Sequence, residues 1–251
     1  MKLAVISDIH ANLEALNAVL EHIDAQQVDR IICLGDILGY GPNPVECVDV
    51  IARRCEWSLM GNHDFGVVYE PTNFNLAAEQ AAYWSREQFE IDSNKEDAAR
   101  HWEFLSRLRV RVTFDDFLCV HGTPRRPINE YLFPEDALNS PVKMQQIFDL
   151  VDKYCLVGHT HVPGVFTDEP DFYPPDDLDG VYTLRDDEKA IINPGSVGQP
   201  RDLDPRASYV IIEDDAVRFF RLEYDIEAVV NKIRAIPELL DWLGERLYEG
   251  R

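Results

Sequence analysis

Basic residues are scarce in this sequence. The 251-residue chain has 24 lysines and arginines against 46 aspartates and glutamates, which gives a formal net charge of −22 at pH 7. A surface this acidic repels polyanions and anionic lipid headgroups. The composition therefore disfavours nucleic acids and membrane surfaces as partners.

Cysteines and long apolar runs are also few. Five cysteines, an odd number in a chain of this length, do not suit a disulfide framework. The N-terminal apolar run, residues 3–6, stops before Asp8 and His10, well short of the roughly 7–15 apolar residues of a signal peptide. No apolar stretch approaches the ~20 residues that cross a bilayer. We expect a soluble protein in the cytoplasm, with reduced cysteines.

The first part of the chain alternates compact apolar runs with amphipathic segments. The runs predict strands over residues 2–7, 30–34 and 56–60, and the apolar periodicity predicts helices from Asn12 onward and over 45–53. Strands that alternate with helices are typical of parallel βαβ units.

The rest of the chain predicts a second group of elements. They are a helical stretch over 75–108, a hairpin of 110–114 and 117–120, a helix over 135–151, strands over 154–157, 190–193, 207–212 and 217–222, and closing helices over 226–236 and 238–247. The proline-rich, acidic stretch Thr167–Gly180 predicts a loop, either a lid or a solvated connection. Because we find neither a repeat nor a linker, we expect a single domain spanning residues 1–251.

Five of the seven histidines follow or end predicted strands, each within a short polar cluster. The clusters are Asp8-Ile9-His10, Gly35-Asp36, Gly61-Asn62-His63-Asp64, His121-Gly122 and Gly158-His159-Thr160-His161. Each alone has an ordinary explanation, such as a capping pair, a turn or a core edge. In open α/β sheets, however, the strand ends of one rim face a common crevice. Together the clusters predict one site.

The side chains in these clusters are typical metal ligands. The candidates are Asp8, His10, Asp36, Asn62, His121, His159 and His161. Mixed imidazole and oxygen ligands favour Mn, Fe, Zn, Co or Ni over Ca or an all-oxygen Mg site. Seven ligands suit two divalent ions ~3.5–4 Å apart that share a carboxylate, and Asp36 is the expected bridge. Two such ions with two carboxylates leave the centre at about +2, which favours an anionic substrate. Manganese is the metal we expect.

His63 has a different predicted role. It directly follows the candidate ligand Asn62, so both side chains cannot easily bind the same pair of ions. We therefore expect His63 to act as a general acid that protonates a leaving oxygen. Asp64 is a candidate catalytic partner that fixes the His63 tautomer; capping of the next segment is the open alternative.

The five clusters, in this order, resemble those of the calcineurin-like metallophosphoesterases, within the small bacterial and archaeal branch that contains predicted phosphodiesterases. Together with the segment 193–201, Asn-Pro-Gly-Ser-Val-Gly-Gln-Pro-Arg, the match reaches most of the chain. The resemblance implies an α/β (α+β) fold, a four-layer αββα sandwich of two mixed sheets. It also implies one ion held by Asp8, His10, Asp36 and His161, and a second held by Asp36, Asn62, His121 and His159.

One departure from the family pattern bears on the substrate. Eukaryotic-type protein Ser/Thr phosphatases have an Asp and an Arg shortly after the bridging Asp, where this chain has Gly39-Tyr40-Gly41. A protein phosphatase of that type is therefore disfavoured. We expect Arg201 and Asn12 to bind substrate, because Arg matches phosphate oxygens bidentately. Exposed solubilising charge is the alternative for Arg201, and the favoured one for Arg125 and Arg126.

The function hypothesis is a dinuclear metal-dependent phosphoesterase, either a phosphodiesterase or a phosphatase, acting on a small phosphate ester. A hydroxide bridging the two ions attacks phosphorus in line, and His63 protonates the leaving alcohol. A catalytically silent interaction module of the same fold and a nuclease remain alternatives. Loops over 73–90, 122–134 and 167–180 are the candidates for substrate selection.

Overall fold

The computed structural model describes residues 1–91 and 95–251, and within them twelve strands form two six-stranded mixed sheets. The first sheet has the order β3-β2-β1-β11-β12-β9. Its strands are β1 (Lys2–Ile6), β2 (Arg30–Cys33), β3 (Trp57–Ser58), β9 (Val181–Thr183), β11 (Ala207–Glu213) and β12 (Ala216–Leu222). The second sheet has the order β4-β5-β6-β10-β7-β8. Its strands are β4 (Arg111–Phe114), β5 (Phe117–Val120), β6 (Tyr154–Leu156), β7 (Gly164–Thr167), β8 (Asp171–Tyr173) and β10 (Ala190–Asn193).

Helices cover the outer faces of both sheets. They are α1 (Leu13–Gln26), α2 (Pro44–Arg54), α3 (Asn62–Val68), α4 (Leu76–Ile91), α5 (Lys95–Ser106), α6 (Asp136–Asn139), α7 (Pro141–Phe148), α8 (Ile226–Arg234) and α9 (Trp242–Glu245), with 3₁₀ turns over Pro175–Leu178 and Arg246–Glu249. The predicted βαβ start is confirmed: β1 pairs in parallel with β2, and β2 with β3.

The buried core follows from alternation along the strands. On β1, Leu3 and Val5 face the second sheet and pack in one cluster with Cys119 and Leu156. The intervening Ala4 and Ile6 face the helices, among them Leu16 and Val19 of α1. Behind the second sheet, Val120 and Val157 pack against Met144 and Ile147 of α7. Because successive strand residues point to opposite faces, each sheet is buried on both sides, which confirms the αββα sandwich.

Several predicted elements differ in detail. The helix expected over 135–151 is divided at Ser140, whose φ of −130° is not helical, because the following Pro141 disfavours helical backbone in the residue before it. The closing helix expected over 238–247 is only the short α9 followed by a 3₁₀ turn. Residues 92–94 of the predicted helical stretch 75–108 lie outside the described residues.

The stretch Thr167–Gly180 is more ordered than the predicted loop. It contains the edge strand β8, which pairs antiparallel with β7 through Phe172 and Phe166, and a 3₁₀ turn. The sequence pattern also missed β7 and β9. Strands of three or four residues are too short to show a clear apolar alternation.

Two further observations concern side-chain chemistry and membranes. All five cysteines are free, and all are buried except the half-buried Cys55. Across residues 1–91 and 95–251, the helices lack the length and apolar character needed to traverse a bilayer.

Candidate metal centre

The loops that follow the central strands are held together by backbone hydrogen bonds. Asp8 N donates to Gly35 O at 3.0 Å, and His10 N donates to Asp36 O at 3.0 Å. Gly158 N likewise donates to His121 O at 2.8 Å across the second sheet. The polar clusters therefore meet at one rim, as strand-end geometry predicts.

Backbone strain is concentrated in these loops. Five non-glycine residues of the predicted ligand set have left-handed backbone, with φ between 49° and 69°: Asp8, His10, Asp36, His159 and His161. Such conformations cost about 1–3 kcal/mol each and persist where the surroundings enforce them, often at functional sites. These left-handed conformations direct the candidate ligand side chains, which follow strands of both sheets, into the same space.

The first group of donor atoms comes from Asp8, His10, Asp36 and His161, all buried, with one ligand atom of each within 4.8 Å of the others. His10 Nε2 lies 3.1 Å from His161 Nε2 and 3.7 Å from Asp36 Oδ2. His161 Nε2 lies 3.3 Å from Asp8 Oδ1. Two imidazoles and two carboxylates thus face one small volume.

The second group comprises Asp36, His121 and His159, again all buried and within the same spacing. Asp36 Oδ2 lies 3.3 Å from His121 Nε2. Asp36 is therefore common to both groups. Asn62 lies at the start of α3, where its buried Oδ1 adds an oxygen donor.

Unpartnered polar atoms test whether metal ions fit here. Among the described residues, eleven buried side-chain nitrogen or oxygen atoms lack a hydrogen-bond partner, and four of them are candidate ligand atoms: Asp36 Oδ2, Asn62 Oδ1, His121 Nε2 and His159 Nε2. Leaving such atoms unsatisfied costs roughly 1–3 kcal/mol apiece. These four atoms belong to one predicted ligand set, and their nitrogen and oxygen chemistry matches divalent transition ions. The residues fit the metals that the motif implies.

The other ring nitrogens of the histidines fix their orientation. Nδ1 of His10, His121 and His161 lies 3.0, 2.9 and 2.5 Å from the backbone carbonyls of Leu38, Leu34 and Gln199. Since a carbonyl only accepts, Nδ1 donates a proton to it in each ring, and Nε2 is the ring nitrogen that faces the centre. Metal-ligating histidines are usually held by this arrangement.

The charge of the centre depends on the pKa values of its carboxylates and of the imidazoles around them. Burial raises the pKa of Asp36, but His121 and His63 outweigh it and hold that pKa well below its usual range. Burial lowers the pKa of His121, and the Asp36 and Asp8 carboxylates reverse this and raise it to about 9. Burial lowers the pKa of His159 to about 3. The carboxylates are therefore ionised, as cation binding requires.

His63 lies beside the two groups without belonging to either. It is 4% exposed, and its backbone N donates to Asp36 Oδ1 at 2.8 Å. Its ring packs against Tyr40 and Phe74 at centroid distances of 4.4 and 4.6 Å. Burial lowers the pKa of His63 to about 4. Its Nδ1 has no partner among the described residues.

Asp64 has the capping role, the second of the two that we considered. Its Oδ1 accepts the N–H groups of Ile37 and Leu38 at 3.0 and 3.1 Å, and its Oδ2 accepts that of Gly61 at 3.0 Å. These bonds tie the loop after β2 to the start of α3. The structure therefore gives Asp64 no contact that fixes the His63 tautomer, and Asp64 acts by positioning both segments.

Asn12, which we predicted to bind substrate, makes structural contacts within the protein. It is 1% exposed, its Oδ1 accepts the N–H of Ala15 at 3.0 Å, and its Nδ2 donates to Gly198 O at 2.9 Å. Asn12 thus caps α1 and ties it to the segment 193–201. Both of its polar groups are used inside the protein.

The predicted phosphate-binding arginines differ in their surroundings. Arg201 is half-buried, donates to Gln199 Oε1 at 2.6 Å and lies over the Tyr40 ring at 5.8 Å. Arg125 is instead paired with Glu130 and Gln146, and Arg126 is exposed. Of the three, Arg201 alone is shown in contact with a residue that packs on His63.

Three residues of the site were missed by the sequence analysis. Tyr40 packs on His10 and His63, and Ser196 Oγ donates to Asp8 O at 2.7 Å. Tyr131 stacks on His159 with ring centroids 3.8 Å apart and an interplanar angle of 17°. The sequence signals were weak. Tyr40 is an aromatic residue between two glycines, and Tyr131 belongs to an aromatic pair in a polar loop.

Comparisons with known proteins agree with this geometry. The family model described as the calcineurin-like phosphoesterase superfamily domain matches residues 1–216. An uncharacterized protein of Methanocaldococcus jannaschii is 39% identical over 99% of this chain and 98% of its own length. A metallophosphoesterase structure from Sphaerobacter thermophilus is 40% identical, with a TM-score of 0.83 over 100% of this chain and 99% of its own. A hypothetical protein of Pyrococcus horikoshii shares the fold at 17% identity, with a TM-score of 0.76 over 100% and 98%.

Proposed function

Because this chain belongs to the calcineurin-like phosphoesterase superfamily, and so is a hydrolase of phosphoric esters, we propose that it is a dinuclear enzyme, a phosphodiesterase or phosphatase acting on a small phosphate ester. The observation that carries this proposal is the place of Asp36, whose carboxylate belongs to both groups of metal-binding side chains. A carboxylate shared between two sites is what a pair of adjacent ions requires.

The two groups define which side chains would hold the ions. Asp8, His10, Asp36 and His161 would hold one, and Asp36, Asn62, His121 and His159 the other. Bound there, divalent ions such as manganese supply charge stabilisation for the phosphoryl oxygens and lower the pKa of bound water. The carbonyls behind His10, His121 and His161 keep each Nε2 aimed at the centre.

His63 is the residue that we assign to protonation of the leaving oxygen. It faces the centre next to His10, with ring centroids 4.9 Å apart. In the free protein burial lowers the pKa of His63 to about 4. The negative charge of a bound ester favours the imidazolium and raises this pKa, which is the direction that proton donation requires. Arg201, held by Gln199, would contact the phosphate oxygens.

Hydrolysis of two nitrophenyl esters tests the proposal. 4-Nitrophenyl phosphate and bis(4-nitrophenyl) phosphate would be assayed with manganese and with iron, zinc, nickel and cobalt ions. The preferred ester distinguishes a phosphatase from a phosphodiesterase. We expect His63→Ala to lose about 10²–10⁴-fold in turnover while it retains its metal content. His22→Gln, which changes the half-buried histidine beside Tyr209, is the matched control.

Three results would contradict the proposal. Loss of bound metal in His63→Ala would make His63 a ligand instead of an acid. Failure of the metal-loaded protein to hydrolyse either ester would favour the silent interaction module, and cleavage of DNA alone would favour the nuclease.

We also propose that residues 1–251 form a single catalytic domain. β1 pairs with β11, from the other end of the chain, along Lys2–Glu213 to Val5–Val210. Val197 N donates to Ser7 O at 3.0 Å, so the segment 193–201 closes over the end of β1. The sheet and the site therefore both need residues that are far apart in the sequence.

A further inference from the structure

Two aromatic side chains project beside the metal centre from the loop after β5. Tyr131 and Phe133 are 40% and 44% exposed, whereas Leu132 between them is 2% exposed and packs in the core behind the second sheet. The alternation is that of an extended segment, with one side chain inward and its neighbours outward. The aromatic pair is therefore anchored and still open to solvent.

The rings continue a stack that begins at a metal-binding side chain. Tyr131 lies on the His159 ring at 3.8 Å, and Phe133 lies nearly parallel to Tyr131, at 5.1 Å and 7°. The spacing of Tyr131 and Phe133 lies within the range that favours parallel aromatic rings. One ring, that of Tyr131, separates Phe133 from His159, so a planar group stacked on Phe133 would lie beside the metal centre.

The backbone that carries the pair is fixed at both residues. Lys143 Nζ donates to Tyr131 O at 2.7 Å, and Phe133 N donates to Asp136 Oδ2 at 2.9 Å. Lys143 and Asp136 are themselves paired at 2.6 Å. An exposed aromatic surface that is already ordered loses little conformational entropy when it binds a planar group. This ordering distinguishes the pair from aromatic residues that are merely exposed.

From these contacts we propose that Tyr131 and Phe133 form a stacking platform for the base of a nucleotide ester whose phosphate lies at the metal centre. The inference rests on the proposed function and narrows its substrate class to esters with a planar aromatic group. Aromatic side chains stack on any base, because every base has a π-face. The platform therefore selects nucleotides over sugar phosphates and has no preference for one base.

Matched substrate pairs isolate the contribution of the base. Adenosine 5′-monophosphate and ribose 5-phosphate share the reacting phosphate and differ in the base, and their methyl diesters form a second pair. We expect wild-type kcat/KM to favour the base-containing member of the hydrolysed pair by about tenfold. The ratio should fall toward one in Phe133→Ala and persist in Phe133→Trp. Tyr248→Ala, which removes an exposed aromatic ring on the C-terminal 3₁₀ turn, should keep it.

A binding measurement separates this inference from the proposed function. 2-Aminopurine riboside 5′-monophosphate, whose fluorescence falls on stacking, should be quenched by the metal-loaded wild type and less by Phe133→Ala. Equal kcat/KM within each pair, or quenching that Phe133→Ala leaves unchanged, overturns the platform even if nitrophenyl esters are hydrolysed. Quenching by a protein that hydrolyses no ester would support the platform and contradict the proposed function. A protein that neither quenches nor hydrolyses overturns both.

Discussion

Gly39 lies directly against the imidazole of His63: a β-carbon on Gly39 would overlap Nδ1 of that ring and stand 3.0 Å from its Cγ. Gly39 also has φ +87°, in the left-handed region that favours glycine. The family pattern of protein phosphatases has other residues along this segment, so the close approach of backbone to ring is a property of the Gly39-Tyr40-Gly41 sequence here.

Replacement of Gly39 by alanine should therefore displace His63 and reduce hydrolysis. We expect a loss of about 1–2 kcal/mol in stability from the left-handed backbone, and in addition a fall in kcat. Gly180→Ala is the matched control, since Gly180 has φ +75° but only Phe219 O, at 3.9 Å, near its added carbon. Urea unfolding and nitrophenyl ester hydrolysis measure the two effects. Equal kcat in the two variants would show that the position of His63 does not depend on Gly39.

The shared carboxylate of Asp36 predicts an unequal effect of ligand substitutions on metal content. If the proposed centre holds two ions per chain, Asp36→Asn should lower bound metal toward zero, whereas His159→Ala should lower it toward one ion. The reason is that Asp36 belongs to both side-chain groups and His159 to one. Plasma mass spectrometry after dialysis gives the stoichiometry, with the exposed Asp187→Asn as control. If both ligand variants retained the same number of ions, Asp36 would not be the bridge.

Arg201 should contribute to substrate affinity. Hydrogen bonds to charged groups contribute about 1.5–3 kcal/mol, so Arg201→Ala should raise KM by roughly tenfold or more. Arg201→Lys should recover only part of this, because a lysine cannot form the bidentate contact. Steady-state kinetics would compare them with Arg126→Ala, which removes an exposed arginine. A larger KM effect in the Arg126 variant would assign the phosphate contact to the loop after β5.

Asn12 should matter for stability. Its substitution by alanine removes the cap of α1 and leaves Gly198 O without its donor, at a cost of about 1–3 kcal/mol. Asn75→Ala is the control, because Asn75 accepts from Ala78 N at the start of α4 and is itself exposed. The free energies of unfolding in urea would be compared. A cost no greater than that of the control would show that the bond to Gly198 adds nothing.

The bond that holds Phe133 should depend on pH in a defined direction. Burial raises the pKa of Asp136, but Lys143 and the Phe133 N–H outweigh it and lower that pKa below its ordinary 3.8. Because the folded-state pKa of Asp136 is lowered, its carboxylate stabilises the fold fully above pH 3.8. This stabilisation is lost as the pH falls through the folded-state pKa. The NMR shift of the Phe133 amide should therefore titrate with a midpoint below 3.8, and Asp136→Asn should abolish this titration. A midpoint above 3.8 would contradict the ion pair.

The convergence of the candidate ligands was predictable because parallel strands bring their ends to one rim, and the polar clusters follow β1, β2, β3, β5 and β6. What the sequence could not give were contacts between residues far apart in the chain. The carbonyl of Gln199 orients His161, and Tyr131 covers His159, yet no periodicity connects these pairs. Asp64 was ambiguous for a related reason: a carboxylate beside a histidine is equally suited to bind backbone N–H groups, and only the fold decides.

The bonds between the segment 193–201 and the loop after β1 have a consequence for biosynthesis. Asp8 and His10 are made early, but their loop is closed by Ser196 and Gly198, which bond to Asp8 O. A nascent chain shorter than about 200 residues thus contains Asp8 and His10 without the segment that closes their loop. Tight metal capture should accordingly come late in folding, and would report that the ribosome has delivered the segment 193–201.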